Sequence, residues 1–156
     1  MNGLMNAEDS IFGSLAECYI TLEEERYKFM SLISFESSWK INIKKVPILG
    51  QVQKGNKATY AEGTWTGTAH YNQSVMRKLM KKYKDEKRMI YFDIQVTNED
   101  PTSSIGRQTV ILKNCLIEGG ILAKFDADTE ILEEELTGTF EDWEMPEEFT
   151  LIEGMQ

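Results

Sequence analysis

Alternation of apolar and polar residues with a period of two is the feature that most narrows what this chain can fold into. From Phe35 to Lys44 the apolar set Phe35, Trp39, Ile41 and Ile43 alternates with Glu36, Ser38, Lys40, Asn42 and Lys44. Side chains on a strand point to opposite faces in turn, so this pattern predicts a strand with one dry face. Met89 to Asn98 repeats it, with Ile90, Phe92, Ile94 and Val96 on one side and Tyr91, Asp93, Gln95 and Thr97 on the other. Tyr60 to Tyr71 sets Ala61, Gly63, Trp65, Gly67, Ala69 and Tyr71 against Tyr60, Glu62, Thr64, Thr66, Thr68 and His70. Threonine suits a strand, and the glycines permit a close approach or a bend. Shorter strands are expected at 16–22, 27–33, 108–118, 121–126 and 132–143.

One segment breaks the rule. Between Ser74 and Asp85 the residues Val75, Met76, Leu79, Met80 and Tyr83 recur at helical spacing behind Ser74, a residue type that caps helices. The spacing predicts an amphipathic helix whose other face carries Arg77, Lys78, Lys81, Lys82 and Lys84. That face is either solvated or docks on an acidic neighbour. Val46 to Thr59, with Pro47, Gly50 and Gly55, is too long for a tight hairpin turn and is expected to be a loop; loops of that length are usually functional or mobile. Asn98 to Gly106, with Asp100-Pro101 and Ser103-Ser104, is expected to be a second loop.

The chain has 156 residues, 41% of them hydrophobic, enough for one domain with a real core. A single domain over 1–156 is expected, with 1–12 and 150–156 as mobile ends or contact arms. Twenty-six acidic residues against 17 basic ones give a formal charge of -9, which opposes sequence-specific nucleic-acid binding. Cys18 and Cys115 are too far apart in sequence for a redox pair or zinc cluster and are expected to be buried thiols. Residues 1–13 lack a basic start followed by an apolar run, and no later stretch reaches membrane-spanning length, so neither a secretion signal nor a membrane anchor is expected.

No catalytic constellation emerges. The single histidine, His70, alternates with threonines on a strand and has no evident nucleophile beside it. Gln51 to Lys57 lacks the second glycine and the Lys-Ser/Thr ending of a phosphate loop. Asp126, Asp128 and Glu130 miss the glycine and distal glutamate of a calcium loop. Glu133, Glu134 and Glu135 read as a solvated run. The last strand shows more: Glu133, Glu135, Thr137, Thr139 and Glu141 share one face, and Leu132, Leu136 and Phe140 the other. A sheet with one face in a core and the other on water needs this division.

Several segments resemble the tail tube proteins of PBSX-like defective prophages and contractile-tailed phages. They are Val46-Pro47-Ile48-Leu49-Gly50, Lys54-Gly55-Asn56-Lys57-Ala58-Thr59, the run from Tyr91 through Ser104 to Val110, Leu132-Glu133-Glu134-Glu135, and Thr139-Phe140-Glu141-Asp142. The likeness runs in order from about Gly13 to Phe149; Trp143 and the Gly119-Gly120 pair are particular to this sequence.

The resemblance implies a mainly β subunit with one α-helix, an antiparallel sandwich or half-barrel that closes into a β-barrel ring on oligomerisation. It implies homohexameric rings stacked into a phage, prophage or R-type bacteriocin tube, assembled in a bacterial host cytoplasm. Sheath, baseplate and tail-terminator proteins are the implied partners, and the hydrophilic lumen would serve either DNA passage or membrane puncture, without sequence-specific nucleic-acid binding. The subunit would be no enzyme and would need no cofactor or metal. Val46, Pro47, Ile48, Leu49, Gly50, Lys54, Gly55, Asn56 and Lys57 match the extended loop that reaches an adjacent subunit or ring. Glu133, Glu135, Thr137 and Thr139, with Thr64, Thr66 and Thr68, are the candidate lumen face, and the basic helix face is the candidate sheath contact. Competing readings are a secreted tube ring of the type VI kind, a monomeric ligand-binding β-barrel and, last, a hydrolase.

Overall fold

A computed structural model of the chain describes residues 3–156, so the first two residues of the 1–12 end segment lie outside the described residues. Eight strands and one α-helix follow in the order β1 (Ala16–Leu22), β2 (Glu25–Lys28), β3 (Leu32–Val46), β4 (Gly55–His70), α1 (Val75–Glu86), β5 (Phe92–Glu99), β6 (Arg107–Gly120), β7 (Glu133–Phe140) and β8 (Asp142–Glu147). All pairings are antiparallel, in the order β2-β1-β5-β6-β7-β4-β3, with β8 also on β6.

Strand β6 turns this ribbon into two layers. Its first part pairs with β5 and β8, and from Leu116 onward it pairs with β7. The change falls at Asn114, a left-handed residue (φ 53) in a bulge against β5, whose N–H donates to the Asp93 carboxylate at 3.2 Å. An extra residue in one strand bends it and raises its twist. The neighbouring strand bends at the same level: β7 gives way to β8 at Glu141, whose N–H donates to the Lys113 carbonyl. The sheet folds over without closing, so the single chain does not form the closed cavity of a ligand-binding barrel.

The core lies inside the fold. Ile20, Phe92, Ile94 and Leu112 meet Trp65, Ala69, Leu136 and Phe140, and Met76 and Leu79 of α1 join the same cluster. Two glycine–aromatic pairs explain the glycines in the alternating strands. Trp65 lies opposite Gly138, and Phe140 opposite Gly63. A Cβ at Gly138 would stand 2.5 Å from the Trp65 ring, and one at Gly63 would stand 2.4 Å from Phe140. Each ring occupies the space that its glycine leaves empty.

Four boundaries differ from the sequence expectation. The expected strand at 27–33 is cut by a turn, with β2 ending at Lys28 and β3 starting at Leu32. That at 121–126 is absent, because β6 ends at Gly120 and Asp126 instead caps a turn through the Asp128 N–H and the Thr129 hydroxyl. The segment 132–143 is split by the Glu141 corner. The expected loop at 46–59 is mostly hairpin: β3 and β4 stay paired out to Val46 and Gly55, leaving only 47–54 as the connection. Pro and Gly ended the recognisable pattern early, yet the flanking residues had backbone partners to pair with.

Candidate assembly surfaces

The polar halves of the alternating strands assemble into one surface. Thr64, Thr66 and Thr68 of β4 lie opposite Thr139, Thr137 and Glu135 of β7, so the seven candidate lumen residues include three direct cross-strand pairs. Glu133 continues the row opposite His70. On the other side of β4, β3 adds Ser38, Glu36 and Ser34 opposite the same threonines. None of these three is among the seven candidates, although Glu36 and Ser38 belong to the polar half of the alternation from Phe35 to Lys44 and Ser34 lies just before it. Three strands thus present rows of hydroxyls and carboxylates, with no lysine or arginine among them.

Beyond this surface the β3–β4 hairpin leaves the body. Phe35 stacks on Trp65 with ring centroids 6.1 Å apart, and Trp39 meets Trp143 of β8 edge-on at 5.7 Å. Past that contact nothing among the described residues covers the hairpin: from Glu36 to Glu62 every residue except Gly55 is exposed. The face of Trp39, Ile41 and Ile43 that the sequence marked as dry is therefore open in the single chain. From Lys40–Glu62 to Val46–Gly55 the paired arm reaches about 20 Å at the usual strand rise. A register shift lies between Ile41 and Ile43, where the Thr59 hydroxyl donates to the Asn42 carbonyl. At the tip, Gly50 takes the positive φ (84°) the turn requires, while Leu49 and Val52 are fully exposed. Of the nine loop candidates, Val46, Gly55, Asn56 and Lys57 belong to paired strands, and Pro47, Ile48, Leu49, Gly50 and Lys54 form the connection. Outer edges remain open as well: among the described residues β3 pairs only with β4, and β2 only with β1.

Helix α1 divides its basic residues. Its first turn is capped by the Gln73 side chain, which accepts from the Val75 N–H at 2.8 Å, while the Ser74 side chain makes no cap bond. Arg77 leaves the expected basic stripe and turns inward. It ion-pairs with Glu134, donates to the carbonyls of Gln73 and Ile121, and stacks 4.6 Å from the Tyr71 ring centroid. Glu134 is buried and also accepts from the Gln73 amide, so one of the three consecutive glutamates is not solvated. Lys82 pairs with Glu23 at 3.3 Å. Lys78, Lys81 and Lys84 remain exposed.

Both end segments are tied to one loop, 100–106. Asp9 accepts from the Ser104 N–H and hydroxyl at 3.1 and 2.7 Å, and in return Asp100 accepts from the Phe12 N–H at 3.0 Å. The Thr150 N–H donates to the Ile105 carbonyl at 2.8 Å. Neither thiol is poised for chemistry, since burial pushes both Cys18 and Cys115 up to about 12.

Residues 3–147 match the family described as phage tail tube protein. The chain belongs to that family. Over 146 residues it is 31% identical to the phage-like element PBSX protein XkdM of Bacillus subtilis (strain 168), covering 94% of this chain and 97% of that protein. A chain in the sixfold-symmetrised baseplate of the anti-feeding prophage superposes with a TM-score of 0.64 at 12% identity, covering 83% of this chain and 91% of that one. A chain in the sheath–tube complex of an extracellular contractile injection system in its extended state gives 0.58 at 13% identity, over 82% and 86%. The low identity of these two makes them evidence for the fold alone. This tail tube protein is a structural subunit and not an enzyme. Its architecture is mainly β with one α-helix and an unclosed antiparallel sheet, and those solved chains share the fold.

Proposed function

We propose that six copies of this tail tube protein close into a ring, with strands β3, β4 and β7 turned to the lumen, and that the rings stack into the tube. The observation that carries this reading is the set of in-register rows Ser38–Thr64–Thr139, Glu36–Thr66–Thr137 and Ser34–Thr68–Glu135. Hydroxyls and carboxylates hold water and repel phosphate, so a wall of this composition lets DNA pass without gripping it. The open β3 edge supports closure, because an unpaired edge that long is an aggregation hazard unless a neighbour covers it. The arm 40–62 extends to an adjacent subunit or ring, with Ile48, Leu49 and Val52 as its apolar anchor. Lys78, Lys81 and Lys84 on α1 face outward to sheath or baseplate. Assembly takes place in the bacterial host cytoplasm, and the tube becomes part of a phage or tail-like particle.

Thiol labelling tests the lumen assignment, because the native cysteines are kept protonated by burial. In assembled tubes, Thr66→Cys reacts with a small maleimide but is shielded from a maleimide on a bulky polymer, whereas disassembled subunits react with both. Equal rates with the bulky reagent in tubes and in subunits place this face outside.

A further inference from the structure

The hairpin arm has a charge composition that the rest of the molecule lacks. Between Glu36 and Glu62 there is no acidic residue, but there are five lysines, Lys40, Lys44, Lys45, Lys54 and Lys57, in a chain whose net charge is -9. The ion pairs of the described residues engage Lys28, Arg77, Lys82, Arg107 and Lys113 and none of these five. Lys44 and Lys57 lie directly opposite each other across the hairpin. Like charges so placed destabilise a strand pair and call for an anionic surface beside them.

The opposite composition lies at the other end of the same strand. β4 runs from the arm tip at Gly55 to His70, which pairs with Glu133, the first residue of β7. The β6–β7 loop leads into that point. From Asp126 in that loop to Glu135 in β7 there are six carboxylates, three in the loop and three in the strand, and only Glu134 among them is buried; Lys124 is the one base of the loop and donates to the Glu133 carbonyl at 2.9 Å. Leu122, Phe125 and Ile131 in this loop are exposed large apolar residues, as Leu49 and Val52 are at the arm tip. Sixteen residues of strand separate the two ends, about 50 Å at the usual rise.

We infer that the basic arm of one copy docks on the acidic β6–β7 loop of a second copy in the next ring, as the head-to-tail contact of the stack. Patches at opposite ends of a molecule give a heterologous contact, which repeats without limit along an axis, whereas a patch meeting itself closes a dimer. Complementary charge fixes the polarity of the stack, because arm against arm and loop against loop both repel. The inference rests on the ring-and-tube reading and names the surface that receives the arm.

Charge exchange between two variants tests it. One carries Lys44→Glu, Lys54→Glu and Lys57→Glu; the other carries Asp126→Lys, Asp128→Lys and Glu130→Lys. These side chains are exposed, and circular dichroism and thermal melts check that both variants fold like the wild type. Wild type is expected to pellet as tubes, each variant alone to pellet about tenfold less, and a mixture of the two to recover tubes containing both. Variants that assemble alone like wild type, or a mixture that does not recover, would overturn the docking while leaving the tube in place. Wild type that forms neither rings nor tubes contradicts the tube reading itself. Loss of binding to short duplex DNA in the arm variant, with assembly unchanged, would mean that the arm's lysines serve nucleic acid and would also overturn it.

Discussion

A Cβ on Gly138 would stand 2.1 Å from the Leu116 carbonyl oxygen, a backbone atom that cannot move aside alone. Gly138→Ala is therefore expected to destabilise the fold by about 3 kcal/mol, read by chemical denaturation. At Gly63 the nearest atoms belong to the Phe140 ring, a side chain and not backbone, so Gly63→Ala should cost less. Arg77 and Glu134 form the other decisive residue pair. Arg77→Met strands a buried carboxylate and should cost about 3 kcal/mol, whereas adding Glu134→Leu should recover most of the loss, because the second change removes the unpaired charge. A double-mutant cycle on melting free energies separates the two. Ser104 holds the Asp9 carboxyl below its ordinary value of 3.8, so this clasp adds stability above that pH and loses it as pH falls through the lowered value. The Ser104 amide resonance should titrate with a midpoint below 3.8; a midpoint above it contradicts the clasp. The residue scale was the least legible in the sequence. Glu134 read as one of three solvated glutamates because its partner stands 57 positions away, and Ser74 read as the helix cap although its neighbour Gln73 holds the Val75 N–H.

At the scale of elements, alternation found the long strands and the helical spacing found α1, because each records a burial pattern made along one segment. It missed what depends on a second segment. The arm looked like a loop because Pro47, Gly50 and Gly55 interrupt the pattern, and only the pairing of β3 with β4 shows that strand continues to Val46 and Gly55. The apolar stripe Trp39, Ile41 and Ile43 was correctly read as a strand face, yet within one chain it covers little beyond Trp143. A strand face made dry by another copy carries the same signature as one made dry within its own core. Ile41→Ser with Ile43→Ser should therefore leave the single chain's stability within about 0.5 kcal/mol, as exposed substitutions do. The same pair should suppress sedimentation of assembled material; unchanged assembly would show that the stripe stays solvated.

For the whole molecule, the open sheet is the property that ties fold to function. Eight strands folded about Asn114 and Glu141 bury one core and leave β3 unpaired along its outer edge, with a polar face beside it. Such a subunit is complete enough to fold and incomplete enough to require neighbours. The polar faces of β4 and β7 were legible because threonine alternation and threonine–glutamate alternation are local patterns; their joining into shared rows with β3 was not, since register is set between strands. Negative-stain electron microscopy of the concentrated, untagged protein tests the central claim most directly. Sixfold rings or hollow tubes of uniform width are the expected result, and particles that remain monomeric at every concentration would contradict the account.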